Sequence, residues 1–190
     1  ILLDEIKKIA MEEEVDLIVL PLSEKREFNK RQMKIIRDNV FEKNRASLLV
    51  LPLACSYRPI RSIVFATDLK LLFNYQKYII DIVNYASLFD SSIHFVHVSS
   101  RGKAEERDPS NTHKMIQQVV DKDQRHTFQS LYGKSTIDSV NQYVEESKAD
   151  MLVVVKHQQN FLDSIFHESI SKEISLISKI PVLVMREKRN

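Results

Sequence analysis

Two rhythms of apolar and polar positions run through this chain. Ser62–Thr67 (SIVFAT), Ile93–Val98 (IHFVHV), Met151–Val155 (MLVVV) and Val182–Met185 (VLVM) are short apolar runs rich in β-formers, and they read as strands. His126–Leu131 reads as a further short strand, closed by Gly133. Between these runs the apolar spacing changes to three and four. Tyr75, Tyr78, Ile79, Ile82, Val83, Ala86 and Phe89 line a helix over Leu71–Phe89. Met115, Ile116, Val119 and Val120 line a second, which starts at Asp108-Pro109-Ser110. Ile137, Val140 and Val144 mark a third helix, and Ile165, Ile170, Ile174 and Ile177 a fourth.

Strands alternating with helices imply right-handed crossovers and a parallel sheet covered on both faces. The near-continuous apolarity of 151–155 and 182–185 says the same, since a strand with one wet face would alternate. The predicted fold is α/β, a doubly wound five-stranded parallel sheet over residues 61–187.

The first fifty residues repeat the end of that unit. Laying 1–52 over 135–186, a constant offset of 134 without gaps, puts Val15-Asp16-Leu17-Ile18-Val19 on Ala149-Asp150-Met151-Leu152-Val153. The same register puts Leu48-Leu49-Val50-Leu51 on Val182-Leu183-Val184-Met185, Ile36 on Ile170 and Val40 on Ile174. Residues 1–53 are therefore read as the second half of a repeated unit: helix Ile1–Glu13, strand Val15–Leu20, helix Asn29–Lys43 and strand Ser47–Leu51. Residues 54–60 connect it to the complete unit, and 188–190 close the chain as a basic tail, with the cluster Arg186–Arg189 read as solvated. Half a unit exposes a raw sheet edge, so it is expected to pair with the complete unit, a second chain or upstream sequence. The first residue is Ile1 and not methionine, so a fragment is expected.

Composition narrows the chemistry. The chain has 190 residues, 43% hydrophobic and 28% charged, with a net charge of +2, and its basic residues are interleaved with acidic ones. Nucleic-acid binding, which needs a clustered basic stripe, is not expected. A single cysteine, Cys55, excludes an internal disulfide and a cysteine-built zinc site, and favours the cytoplasm. No apolar run reaches the ~20 residues that span a bilayer, so no membrane segment is expected within the chain. His94 and His97 lie three apart on a strand and face opposite sides, so they cannot share a metal. No metal site and no catalytic residue is expected, since no nucleophile elbow occurs. Two glycines, Gly102 and Gly133, cannot build a Walker or dinucleotide loop.

The order of these segments resembles a known family. SIVFATD, a Tyr- and Ala-rich helix and IHFVHV over 62–98 are similar to the opening half of a universal stress protein domain; ADMLVVV, FHESISKEI and IPVLVM over 149–185 are similar to its closing half. The resemblance covers 61–187, and the repeat extends it to 1–53, giving a tandem protein whose first domain is truncated. It implies the adenine-nucleotide alpha-hydrolase-like fold and dimerisation through the last strands, with Val182, Val184, Leu49 and Leu51 as interface candidates. The two last strands can pair within one chain or between two copies.

The ATP-binding branch of the family carries Gly-x2-Gly-x9-Gly-(Ser/Thr) after its fourth strand. Those glycine places fall on Val155, Gln158 and Glu168, followed by Ser169, and in the first repeat on Pro21, Glu24 and Lys34, followed by Ile35. Side chains there block the close backbone approach that a triphosphate needs, and the Glu168 carboxylate opposes it. No cofactor is expected, ATP being disfavoured. The residual pocket implied by the resemblance is Asp68, Val98, His157 and Ser169. The function expected is a non-enzymatic, cytoplasmic stress-response module acting as an oligomeric adaptor for an unknown protein partner. The alternatives are a small-ligand or nucleotide sensor, or the regulatory domain of a larger transporter or signalling protein.

Overall fold

The computed structural model describes residues 2–21, 46–52, 58–66, 76–99, 114, 116–120, 123–133, 135–156 and 180–186. Its elements in chain order are α1 (Leu2–Glu12), β1 (Leu17–Pro21), β2 (Ser47–Leu51), β3 (Ser62–Ala66), α2 (Gln76–Leu88), β4 (Ser92–Ser99), β5 (His126–Tyr132), α3 (Thr136–Glu146), β6 (Met151–Lys156) and β7 (Val182–Arg186). The expected helices at 29–43 and 165–177 lie outside the described residues, as does the helix start at 108–110. Of the helix expected over Leu71–Phe89, the described part ends at Leu88; Phe89 lies in the following turn, 48% exposed, because the chain reverses at Asp90, which takes a positive φ of 51°.

The strands form one sheet in the order β1-β2-β7-β6-β3-β4-β5. The last five are mutually parallel, and β3, first in sequence among them, sits at their centre. The described sheet is larger than the five strands of the complete unit, because β2 adds to β7 antiparallel and β1 to β2 parallel.

Both faces of the parallel part are covered, as continuous apolarity requires. On one face Ile63, Phe65, Ile93, Phe95, Met151 and Val153 pack beneath Ile79, Ile82 and Ala86 of α2 and Ile116. Phe65 and Phe95, on neighbouring strands, meet edge to face at 5.7 Å between ring centroids, a favourable aromatic geometry. On the other face Val64, Ala66, Val96, Leu152 and Val154 lie with Ile137, Val140 and Val144 of α3. That second cluster continues without a break into Leu48 and Val50 of β2, beside Val182 and Val184.

Local chemistry explains the ends of α3. Ser135, in extended backbone, accepts a hydrogen bond from the Asp138 amide at 3.2 Å, and Asp138 places its carboxylate in the positive first turn. The preceding Gly133 permits a close approach: a Cβ there would collide with the Ser139 hydroxyl, which bonds the Ser135 carbonyl at 2.9 Å. At the other end Lys148 takes a positive φ of 52° and the Ala149 amide reaches back to the Val144 carbonyl. Glu14, with φ 48°, and the Val15 amide on Ala10 repeat that turn after α1, 134 positions earlier. Left-handed backbone usually falls to glycine; this glycine-poor chain uses Glu14, Asp90 and Lys148.

The strand registers obey the same offset. β1 pairs with β2 as Ile18↔Leu48, Val19↔Leu49 and Leu20↔Val50, and β6 with β7 as Leu152↔Val182, Val153↔Leu183 and Val154↔Val184. Between the two, Leu48↔Val184, Leu49↔Leu183 and Val50↔Val182 form a set that maps onto itself when the two strands are exchanged.

Candidate functional site

In an open parallel sheet, ligands gather beyond the carboxyl ends of the strands where the strand order reverses. Here the reversal lies between β3 and β6, since the chain leaves β3 toward β4 and β5 and later returns to β6 and β7 on the other side. The carboxyl ends that meet there belong to Ala66 on β3 and Lys156 on β6, with Ser99 on β4 next along the edge. The floor is dry: Ala66, Val96 and Val154 are all buried, because the strands beneath are covered by α3.

Of the residual-pocket residues read from the sequence, Val98 falls on β4, in register with Leu131 of β5 and two places beyond the Ala66↔Val96 pair. Asp68, His157 and Ser169 lie outside the described residues, as do Gln158 and Glu168. Val155 is described, buried within β6 in register with Met185. The strand runs one residue farther, to Lys156 opposite Arg186. Arg186, the first residue of the basic cluster 186–189, ends β7; the ladder with β6 extends farther than the apolar run.

The opposite end of the sheet is built for tying strands together. Asp150 accepts hydrogen bonds from the backbone amides of Arg61 at 2.9 Å and Ser62 at 3.0 Å, joining the starts of β6 and β3. Asp90 accepts from Arg125 at 2.9 Å and from Arg61 at 3.5 Å, and Gln124 donates to the Ser91 carbonyl. These contacts are exposed or half-buried and link the turns below β3, β4 and β5. They span 29 to 89 residues of sequence, so no local pattern could have announced them.

His94 and His97 stand on opposite faces of β4 by strand alternation. His94 Nδ1 lies 3.1 Å from the Tyr143 hydroxyl on α3, and burial lowers its pKa. Among the described residues no group of three or more His, Cys, Asp or Glu side chains is placed to hold a metal, and no helix is long and apolar enough to cross a membrane.

The interface candidates fall inside the sheet, on its second and third strands. Val182 and Val184 are buried on β7 between β2 and β6, and Leu49 stands opposite Leu183. On β2 the buried face carries Leu48 and Val50, while Leu49 and Leu51 are half-buried. The one-residue difference matters, because alternate residues point to opposite faces.

The chain is a doubly wound α/β sheet with its reversal between β3 and β6, which opens a crevice at the carboxyl ends of those strands. The universal stress protein family model matches residues 76–186. More than half of the chain is matched, and the chain belongs to the universal stress protein family. A universal stress protein from Archaeoglobus fulgidus DSM 4304 is similar in structure at a TM-score of 0.70 and 13% identity, over 97% of this chain and 65% of that one. A protein of unknown function from Pseudomonas aeruginosa PAO1 is similar at 0.60 and 15% identity, over 97% and 67%. A universal stress protein solved in complex with cAMP is similar at 0.51 and 14% identity, over 69% of this chain and all of that one. At these identities the likeness concerns the fold. The chain thus spans about 65% of the length of the Archaeoglobus protein. No curated protein matches the chain.

Proposed function

We propose that this chain is a non-enzymatic binding and adaptor module of the cytoplasmic stress response, built from one whole universal-stress-type unit and half of another, and that it does not hold ATP. The observation that carries the reading is Val155. At the first glycine place of the family's phosphate motif stands a buried, β-branched residue whose strand continues to Lys156. A phosphate cradle needs bare backbone amides at this turn, and a β-branched side chain in a continuing ladder opposes that geometry. The two-unit part rests on a seam inside the chain: β2 and β7 pair through a register that is its own mirror under the 134-residue offset, as two like subunits would pair.

A second reading has one observation in its favour. The relative solved with cAMP shares this fold, and a nucleotide with a single phosphate does not need the three-glycine cradle. A sensor of that kind would use the switch-point crevice, with Asp68 and Val98 as the residues that the family resemblance offers for it.

Native mass spectrometry of the purified chain with and without millimolar ATP, then millimolar cAMP, tests both. A spectrum unshifted by either supports the adaptor reading. An adduct of ATP mass overturns it, and an adduct with cAMP alone establishes the sensor, to be located with Asp68→Ala.

A further inference from the structure

One carboxylate, Asp90, holds two arginines at the amino ends of β3, β4 and β5, the end of the sheet opposite the switch-point crevice. Arg125 Nη2 donates to the Asp90 carbonyl at 2.7 Å and to its Oδ1 at 2.9 Å. Arg61 Nη1 donates to the Phe89 carbonyl at 3.2 Å and lies 3.5 Å from Asp90 Oδ2. All three side chains are well exposed, so the ion pairs orient the arginines without burying them. The nearby Asp150 carboxylate is taken up by the amides of Arg61 and Ser62, and Asp123 has a partner of its own. Each guanidinium spends one nitrogen on the turn. Among the described residues the Nε–Nη2 edge of Arg61 and the Nη1 and Nε donors of Arg125 meet no acceptor. Such donors suit the oxygens of a phosphoryl group, most of all when the arginine is held in place beforehand. The same turn carries an apolar pair: Leu88 is 81% exposed, and Phe89, whose carbonyl Arg61 grips, is 48% exposed.

We propose that this turn docks a phosphoserine segment of a partner protein, with the phosphoryl group on Arg61 and Arg125 and an apolar neighbour on Leu88 and Phe89. Two guanidiniums to one carboxylate leave a positive charge that a dianion complements. The apolar pair beside them favours a peptide over free phosphate. The proposal names the partner chemistry of the adaptor reading and rests on that reading. The two fail separately: an ATP adduct removes the adaptor reading, whereas an unshifted spectrum with no peptide captured removes this surface alone.

Peptide capture tests it. The immobilised 190-residue chain is exposed to a phosphoserine peptide library with degenerate flanking positions, and to the same library unphosphorylated. The phosphorylated library is expected to be retained about tenfold better, with apolar residues enriched beside the phosphoserine. The best captured peptide is then labelled and its affinity measured by fluorescence polarisation. Arg61→Lys and Arg125→Lys keep the charge and lose the planar edge, and each should weaken binding about fivefold. Leu88→Ser should erase the apolar preference and keep the dependence on phosphate. Lys8→Gln, which removes an exposed charge on α1, should leave the affinity unchanged. The substituted side chains are exposed, so folding is retained and is checked by circular dichroism. Equal retention of the two libraries, full affinity in both arginine variants, an intact apolar preference in Leu88→Ser, or an equal loss in Lys8→Gln would each overturn the proposal. Competition by inorganic phosphate at the peptide's own concentration would assign the site to the free anion and overturn it as well.

Discussion

His94 shows how much one residue's behaviour depends on a distant neighbour. Its ring faces Tyr143, 49 positions away, at 6.0 Å between ring centroids, and burial disfavours the imidazolium. The folded-state pKa therefore lies below the ordinary value of 6.5. The unfolded chain then binds more protons than the folded one as pH falls through that value, so stability falls with acidification. Urea midpoints of the native chain and of His94→Gln should differ more at pH 7.5 than at pH 5.5; a constant difference would show that the shift does not act. Nothing in IHFVHV distinguishes His94 from His97 in this respect. The sequence places them on opposite faces, and only the packing of α3 decides which one meets a tyrosine.

At the scale of elements, the joint between β2 and β7 is the most exacting. Val184 is 4% exposed and stands opposite Leu48 on one side and Val154 on the other. Val184→Lys would bury an ammonium with no partner at that position, and such a change costs about 3–5 kcal/mol. The expected outcome is loss of most of the chain's stability in urea, with freed β2 edges shown as association in gel filtration. A wild-type midpoint and elution volume would remove the joint from the account of the fold. The strands themselves were legible: Ser47–Leu51 is found with the bounds the apolar run predicts, and the neighbouring strands differ from theirs by one or two residues. Such runs are legible because burial on both faces demands them. What the runs lacked was orientation. An apolar strand is equally suited to a parallel or an antiparallel neighbour, so the antiparallel seam could not be read from it.

For the molecule as a whole, the consequence of that seam is one continuous core. The cluster containing Val64 and Val96 of the parallel sheet also contains Leu48 and Val50, so neither part can open without exposing apolar surface of the other. Urea unfolding is expected to be a single transition, with the exchange protection of the Leu49 and Phe95 amides lost at the same midpoint. Separate midpoints would mean that the first fifty residues form an appendage to the larger unit.

The sequence by itself determined the alternation of strands and helices, the doubly wound class and the 134-residue correspondence. Each of these is written in local spacing, or in the recurrence of one spacing at a fixed distance. It also placed Val155, Gln158 and Glu168 where a phosphate loop needs glycine, and the freedom of the backbone is a property of the residue itself. The tertiary structure alone decided the antiparallel seam, the Asp150 tie to the start of β3, the meeting of His94 with Tyr143 and that of Arg61 and Arg125 on Asp90. These are contacts between residues far apart in the chain. Their energies depend on which surfaces meet, and a one-dimensional pattern of polarity carries no term for that.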